Sequence, residues 1–243
     1  MRKIVLTGII ALLTLITFNA NAQYLIEAGY TNSKYVAKFG NETEKSDPLA
    51  GFNIGISREF HLIKGAYLES GLGYMYLTNK DEYIHNNLPL LDMTIKSRQN
   101  DHYIYLPVQL KYLYSFSENF SIFAFGGPKF VVGLSSANKV KLKGSVLGVD
   151  FSGDLKYDFY KGEISSSNIP SQALDAVNDY DTDEQKYKRF DIQMGLGIGV
   201  EIAEFYVVKF GYDWGLLNKY SGVFSDDITL KRNQFYFNIG YRF

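Results

Sequence analysis

The last ten residues, 234–243, constrain the fold more than any other stretch. Taken alternately, Phe235, Phe237, Ile239, Tyr241 and Phe243 share one side of an extended chain, and Gln234, Tyr236, Asn238, Gly240 and Arg242 share the other. Successive side chains of a strand project to opposite faces, so this pattern asks for an apolar medium on one side and a polar one on the other. A tilted strand of about 9 to 11 residues crosses a bilayer, and the stretch has that length. A sheet in water can also alternate, but it has little reason to close on an aromatic run ending in Phe243. The segment therefore predicts a transmembrane β-barrel. Its five apolar side chains mark the closing strand, the one that barrel-assembly machinery would engage.

The start of the chain agrees with export. Arg2 and Lys3 precede an apolar run over residues 4–18, and Ala20-Asn21-Ala22 reads as a small-residue cleavage site before Gln23. The run is short for a membrane helix, which needs about 20 residues. A signal peptide over 1–22, cleaved after Ala22, is the expectation, with a retained anchor as the alternative; 23–243 is then one barrel domain. No later apolar segment is long enough for a spanning helix, which leaves a barrel as the way to cross a membrane. The absence of cysteine excludes a disulfide framework and a lipid anchor at a new N-terminal Cys. A formal net charge of −1 gives no basic face for nucleic acid. The 20 Tyr and 22 Gly suit aromatic girdles and a crowded lumen.

Eight alternating segments follow the signal: roughly 24–31, 50–60, 66–77, 102–114, 120–134, 190–202, 206–216 and the terminal strand. The sixth is the most regular, with Ile192, Met194, Leu196, Ile198 and Val200 opposite Gln193, Gly195, Gly197, Gly199 and Glu201. Pro107 cannot donate to a ladder, so a bulge or missing bond is expected there; Gly126, Gly127 and Pro128 predict a bend in the fifth segment. The connections at 61–65, 115–119 and 203–205 are short, while those at 32–49, 78–101, 135–189 and 217–233 are long. The fold class expected is all-β: an eight-stranded antiparallel transmembrane barrel with short periplasmic turns and long external loops, both termini on the short-turn side. A soluble eight-stranded carrier barrel is the alternative, although it has no reason to keep that asymmetry. Residues 135–189 alternate loosely from Val140 to Phe159 and predict a hairpin of their own. Their dense charges, such as Lys139, Lys141, Lys143, Asp154, Lys156 and Asp158, favour an extension above the membrane over two further spanning strands.

Tyr103-Ile104-Tyr105-Leu106-Pro107-Val108-Gln109-Leu110-Lys111-Tyr112 resembles the Y-x-x-x-P-x-x-x-K-Y strand of PorT-like outer-membrane barrels. The run from Phe190 to Glu201, then Lys209-Phe210-Gly211-Tyr212 and Gly215-Leu216-Leu217-Asn218, is similar to the last three strands of that family. The resemblance implies an eight-stranded barrel in the outer membrane of a diderm bacterium. The family's named member takes part in protein secretion, most relatives have no assigned role, and no catalytic residues carry over.

Ten charged residues fall on the predicted lumen face: Glu27, Glu59, Glu69, Lys111, Lys129, Asp191, Glu201, Lys209, Asp213 and Arg242. Eight strands enclose only enough room for side chains, and a buried unpaired charge costs several kcal/mol. A salt-bridged plug is therefore expected, with a gated conduit or proton path as the alternative. His61, His85 and His102 show no shared metal spacing. A rim hydrolase would need His85 or His102 to meet Asp81, Asp92 or Asp101. The run 175–184, with Asp179, Asp181 and Asp183, faintly resembles a calcium loop but has Phe190 where the bidentate Glu belongs. Gly195, Gly197 and Gly199 lie on a strand with no helix after it, so they are not a nucleotide loop. No cofactor or metal is expected. Two classes of function remain: a structural or surface-binding protein, whose loops meet ligands or neighbouring envelope proteins, and an accessory component of a secretion or envelope-assembly machine. Outer-membrane lipid is a partner in both, and a small pore is a third reading.

Overall fold

A computed structural model describes residues 23–40, 42–88, 91–146, 149–167, 186–221 and 228–243, and every element named within them is a strand. The expected signal segment and the acidic run 175–184 lie outside the described residues. In chain order the strands are β1 (Tyr24–Phe39), β2 (Glu42–Lys45), β3 (Leu49–Ile63), β4 (Ala66–Leu88), β5 (Leu91–Ser117) and β6 (Phe120–Val146). They continue with β7 (Val149–Asp158), β8 (Glu163–Ser167), β9 (Phe190–Ile202), β10 (Tyr206–Gly215) and β11 (Ile228–Arg242). Eight of them, β1, β3, β4, β5, β6, β9, β10 and β11, close an antiparallel ring in which β11 returns to β1 and β5 meets β6. Closure leaves no unpaired edge, which an apolar solvent would penalise at every backbone group.

Each predicted segment falls on one ring strand, with Leu216 and Phe243 one residue beyond the ends of β10 and β11. The short connections gather at one end, where Ile202 pairs with Tyr206 and Ser117 with Phe120. Gly65, at φ +76°, turns the third, a conformation that a side chain would strain. Backbone bonds between Tyr24 and Phe243 of 3.0 and 2.9 Å tie the first and last strands together at that same end.

The other end differs from expectation in extent. The described parts of the links assigned to loops at 78–101 and 135–189 are largely strand: β4, β5 and β6 run on past the ring, β7 pairs with β6 over Ala137–Val146, and β8 pairs with β7. The hairpin is thus an extension of the sheet and adds no spanning strands. Alternation of Lys with Val, Leu and Tyr forms a ladder as well in water as in lipid, so the sequence pattern outruns the membrane.

Two ladder interruptions fall at prolines. The β4–β5 ladder is interrupted opposite Leu106-Pro107, and Ser70 donates to the Pro107 carbonyl at 3.0 Å. The β5–β6 ladder is interrupted opposite Gly127-Pro128, while pairing of these residues with β9 continues.

On the outward face, Ile54, Ile56, Leu72, Leu110, Leu196, Ile198 and Ile239 are exposed, and so are Phe235, Phe237, Tyr241 and Phe243 of β11. Aromatic rings border this band on both sides. At the short-turn end Tyr24 stacks on Phe243 and Phe205 on Tyr241; at the other, Phe52, Tyr74, Tyr76 and His102 cluster, and Tyr212 packs edge-on to Trp214. An apolar belt between two aromatic girdles is what a bilayer solvates and water does not.

Candidate functional site

The inside of the ring is filled in layers. At the short-turn end Lys111 and Arg242 face Glu59 and Glu201. Lys111 is 2.7 Å from Glu59 and also pairs with Glu201; Arg242 donates to Glu59 at 3.1 Å and to Glu201 at 2.8 Å. The Lys111 ammonium also stands 4.3 Å from the centroid of the Phe123 ring. One layer up, Lys209 lies 3.1 Å from Glu27 and 2.5 Å from Glu69, which also accepts from Ser57 Oγ at 2.9 Å. Neutral polar groups follow: Asn53 donates to Thr31 and Asn238, both at 2.8 Å. Lys129 then pairs with Asp213, which takes a bond from Gln234 at 2.8 Å, and the ammonium sits 4.2 Å from the Tyr236 ring centroid. Buried opposite charges with further hydrogen bonds are the arrangement that offsets desolvation.

All ten charges expected in the lumen are turned inward, and nine are brought into these three layers. Asp191 stands apart, nearer the mouth, with Gln193 donating to it at 3.5 Å. Periodicity missed the polar groups above it. Asp101 is fully buried and accepts from Tyr35, Tyr103 and Ser136 at 3.2, 3.0 and 2.7 Å. Arg232, also fully buried, sits 3.9 Å from the Tyr103 ring centroid. Lys219 donates to the Lys188 carbonyl at 2.9 Å, and burial, with the Arg232 charge adding to it, holds its ammonium down at about 8. Asp101 and Arg232 fall in the predicted links 78–101 and 217–233, because the apolar alternation that marks their strands stops at the girdle. Counting back two residues at a time from Tyr103 and Gln234 would have found both.

Two apolar clusters separate the polar layers, which makes the lumen less polar than expected. Leu25, Phe123, Phe125, Val207 and Tyr236 form the lower one; Tyr35, Leu49, Met75, Leu77, Tyr103 and Tyr105 belong to the upper. Glycines admit the rings: a Cβ on Gly199 or Gly197 would strike Phe123 or Phe125. Phe159 stacks on Tyr187 at 4.7 Å between centroids, and Tyr187 packs on Tyr35 at 5.6 Å, which covers the mouth. Burial pushes the Tyr187 hydroxyl up and that of Tyr160 up to about 12. The cavity lined by Glu27, Asn53, Glu69, Lys129, Lys209 and Tyr236 measures about 20 Å³, room for roughly one water.

Among the described side chains, neither His61 nor His102 pairs with an Asp carboxylate. His61 is exposed and edge-on to Tyr67, and His102 Nδ1 is 2.6 Å from the Tyr74 hydroxyl. Asp101 and His102, adjacent on β5, point to opposite faces: Asp101 is buried inside and His102 packs in the outer girdle. Asp81 accepts from Asn79 at 3.1 Å. His85 pairs with Met93, beside Asp92, nine residues along β4 from the Tyr76–His102 pair, roughly 30 Å away. Among the described residues no group of three or more potential ligands could hold a metal ion.

The family model of the outer membrane protein beta-barrel domain matches residues 17–220. The chain belongs to that family. Its address is the outer membrane, and lipid is what the exposed belt meets. This outer-membrane barrel is similar to Ail, the attachment invasion locus protein of Yersinia pestis, at 16% identity over 91% of this chain and 99% of that one, TM-score 0.33. It is similar to Neisserial surface protein A at 10% identity over 90% and 97%, TM-score 0.34. It is also similar to the outer membrane protease OmpT from Escherichia coli at 10% identity over 92% and 96%, TM-score 0.38. Such distant likenesses carry no argument about function. No curated protein matches the chain.

Proposed function

We propose that this outer-membrane barrel is a non-enzymatic structural or surface-binding protein with a closed lumen, its external strand extensions being the working surface. One observation carries the reading: among the described residues, ion-paired layers and two apolar clusters pack the ring around a cavity of about 20 Å³, while strands project far beyond the girdle at one end. A path for ions needs continuous water, and a space for about one molecule provides none. The ten inward charges then act as struts. The outward face of β11, with Phe235, Phe237, Ile239, Tyr241 and Phe243, is assigned to the barrel-assembly machinery, because β11 completes the ring by pairing with β1. Planar-bilayer recording tests the closed lumen: purified protein should give no steps above those of small eight-stranded barrels, and stable larger openings would turn the reading to a pore.

The PorT-like motif over 103–112 favours a second reading, an accessory role in secretion or envelope assembly. The short turns offer such a machine little periplasmic surface, which leaves the first reading ahead. A deletion strain separates the two: lost secretion with unchanged detergent resistance supports the accessory role, and intact secretion supports the surface role.

A further inference from the structure

Above the outer girdle, β4 to β8 form a five-stranded ribbon, and one cross-strand row of it is cationic on its first four strands, ending on Ser165 of β8. Lys80 pairs with Arg98, Arg98 with Lys139, and Lys139 with Lys156. All four are exposed. Like charges directly opposite each other on a sheet are destabilising. The row two residues further out mixes signs: Lys96 and Lys141 stand opposite each other, but Glu82 and Asp154 flank them, with Lys96 2.9 Å from Glu82. Among the described residues none of Lys80, Arg98, Lys139 and Lys156 has a carboxylate within ion-pair distance. Lysines that merely blunt a sheet edge belong on the edge strand; here Arg98 and Lys139 stand on strands paired on both sides. The net charge of −1 supplies no general excess of cations either.

Position identifies the partner. The row occupies the outward face, the same face of β4, β5 and β6 that presents Leu72, Ile104 and Val132 to lipid lower down. Lys80 and Arg98 stand four residues beyond Tyr76 and His102 of the girdle, about 13 Å along the strands and roughly 10 Å along the membrane normal. The headgroup layer extends about 5 to 7 Å beyond the hydrocarbon. The cations therefore overhang the outer headgroups and face down the lipid side of the barrel. With strands about 4.8 Å apart the row is roughly 14 Å long, enough to meet more than one phosphate. A groove along it is lined by five cations, Lys80, Lys96, Arg98, Lys139 and Lys141, against two carboxylates, Asp81 and Glu82, with Ser97. We propose that this row binds the phosphorylated headgroup of an outer-leaflet glycolipid, fixing the ribbon against the membrane surface. The inference rests on the bilayer placement and is independent of the closed lumen.

The test uses the full mature chain in mixed micelles, titrated with fluorescent bis-phosphorylated lipid A, with its dephosphorylated form, and with a soluble sulfated oligosaccharide. A surface cation near an anionic membrane contributes about fivefold in affinity, so four should give the phosphorylated lipid at least about a tenfold preference over the dephosphorylated one. The variant Lys80→Gln/Arg98→Gln/Lys139→Gln/Lys156→Gln should lose that preference, and the variant Lys80→Arg/Lys139→Arg/Lys156→Arg should keep it. Both retain folded-barrel migration on unheated gels, since all four side chains are in solvent. Equal binding of the two lipids by the wild type, or an undiminished preference in the glutamine variant, overturns the proposal. Tighter binding of the sulfated oligosaccharide than of lipid A, lost in the glutamine variant, overturns it in favour of a soluble polyanion.

Discussion

Lys209→Met removes the single cation between two buried carboxylates. Its ammonium lies 3.1 Å from Glu27 and 2.5 Å from Glu69, and Ser57 is the other donor recorded to Glu69. Breaking a buried pair from one side costs about 3 to 5 kcal/mol, because the remaining charge keeps its desolvation penalty without a partner. Here two carboxylates are stranded, and protonation relieves part of the second penalty, so the same range is expected as a minimum. Against a total stability of about 5 to 15 kcal/mol the loss is large. With a urea slope of about 2 kcal/mol per molar it moves the midpoint down by roughly 2 M. The assay is equilibrium unfolding from lipid vesicles, followed by the fluorescence of Trp214, the only tryptophan in the chain. Lys209→Met/Glu69→Gln should recover part of the loss. Lys209→Met/Glu69→Gln/Glu27→Gln should come back to within about 2 kcal/mol of the parent, as uncharged replacements of buried ion pairs commonly do. A midpoint shift under about 0.5 M for Lys209→Met alone would mean that water, and not Lys209, compensates the carboxylates, and the closed lumen would fail with it.

Gly199→Val puts a side chain where the Phe123 ring lies, and overpacking should cost about 1 to 3 kcal/mol or block folding, read as loss of the fast-migrating form on unheated gels. Lys219, held at about 8 in the fold against about 10.4 unfolded, carries a charging penalty that is complete below pH 8 and relieved as pH rises. Stability should therefore climb between pH 8 and about 10, by an amount on the order of 2 to 3 kcal/mol, and Lys219→Met should abolish the climb in pH-dependent urea titrations. Above pH 10 the slope should reverse, because Tyr160 and Tyr187 keep their protons in the fold while the unfolded chain loses them. Glu204 occupies the left-handed region at φ 65° in the turn between β9 and β10, so Glu204→Gly should raise the urea midpoint by the equivalent of about 0.5 to 1 kcal/mol.

What the sequence conveyed followed from periodicity. An alternation of two is unambiguous where one face must be apolar, so the ring strands and the inward turn of Glu59, Lys111 and Arg242 were legible from spacing alone. The same reasoning stopped at the girdle. Beyond Tyr76 and His102 the outward face meets water, the apolar side of the alternation is lost, and strands read as loops; with them went the buried Asp101 and Arg232 on the inner face and the cationic row on the outer one. Periodicity also gives a side chain's face without its neighbours. It put Lys111 and Glu201 in one lumen, although 90 residues separate them, but it could not pair them. Nor could it show Phe123 filling the space that Gly199 leaves, because that match depends on the stagger between β6 and β9.

The placement of lipid against the outward face is tested most directly at Trp214, which is 42% exposed on β10 beside Tyr212. Protein refolded into vesicles carrying brominated acyl chains should show strong quenching of Trp214, greatest with bromines placed shallowly near the interface, and little quenching by aqueous acrylamide. A mature chain that stays monomeric in water without detergent, its tryptophan untouched by brominated lipid, would contradict the membrane placement.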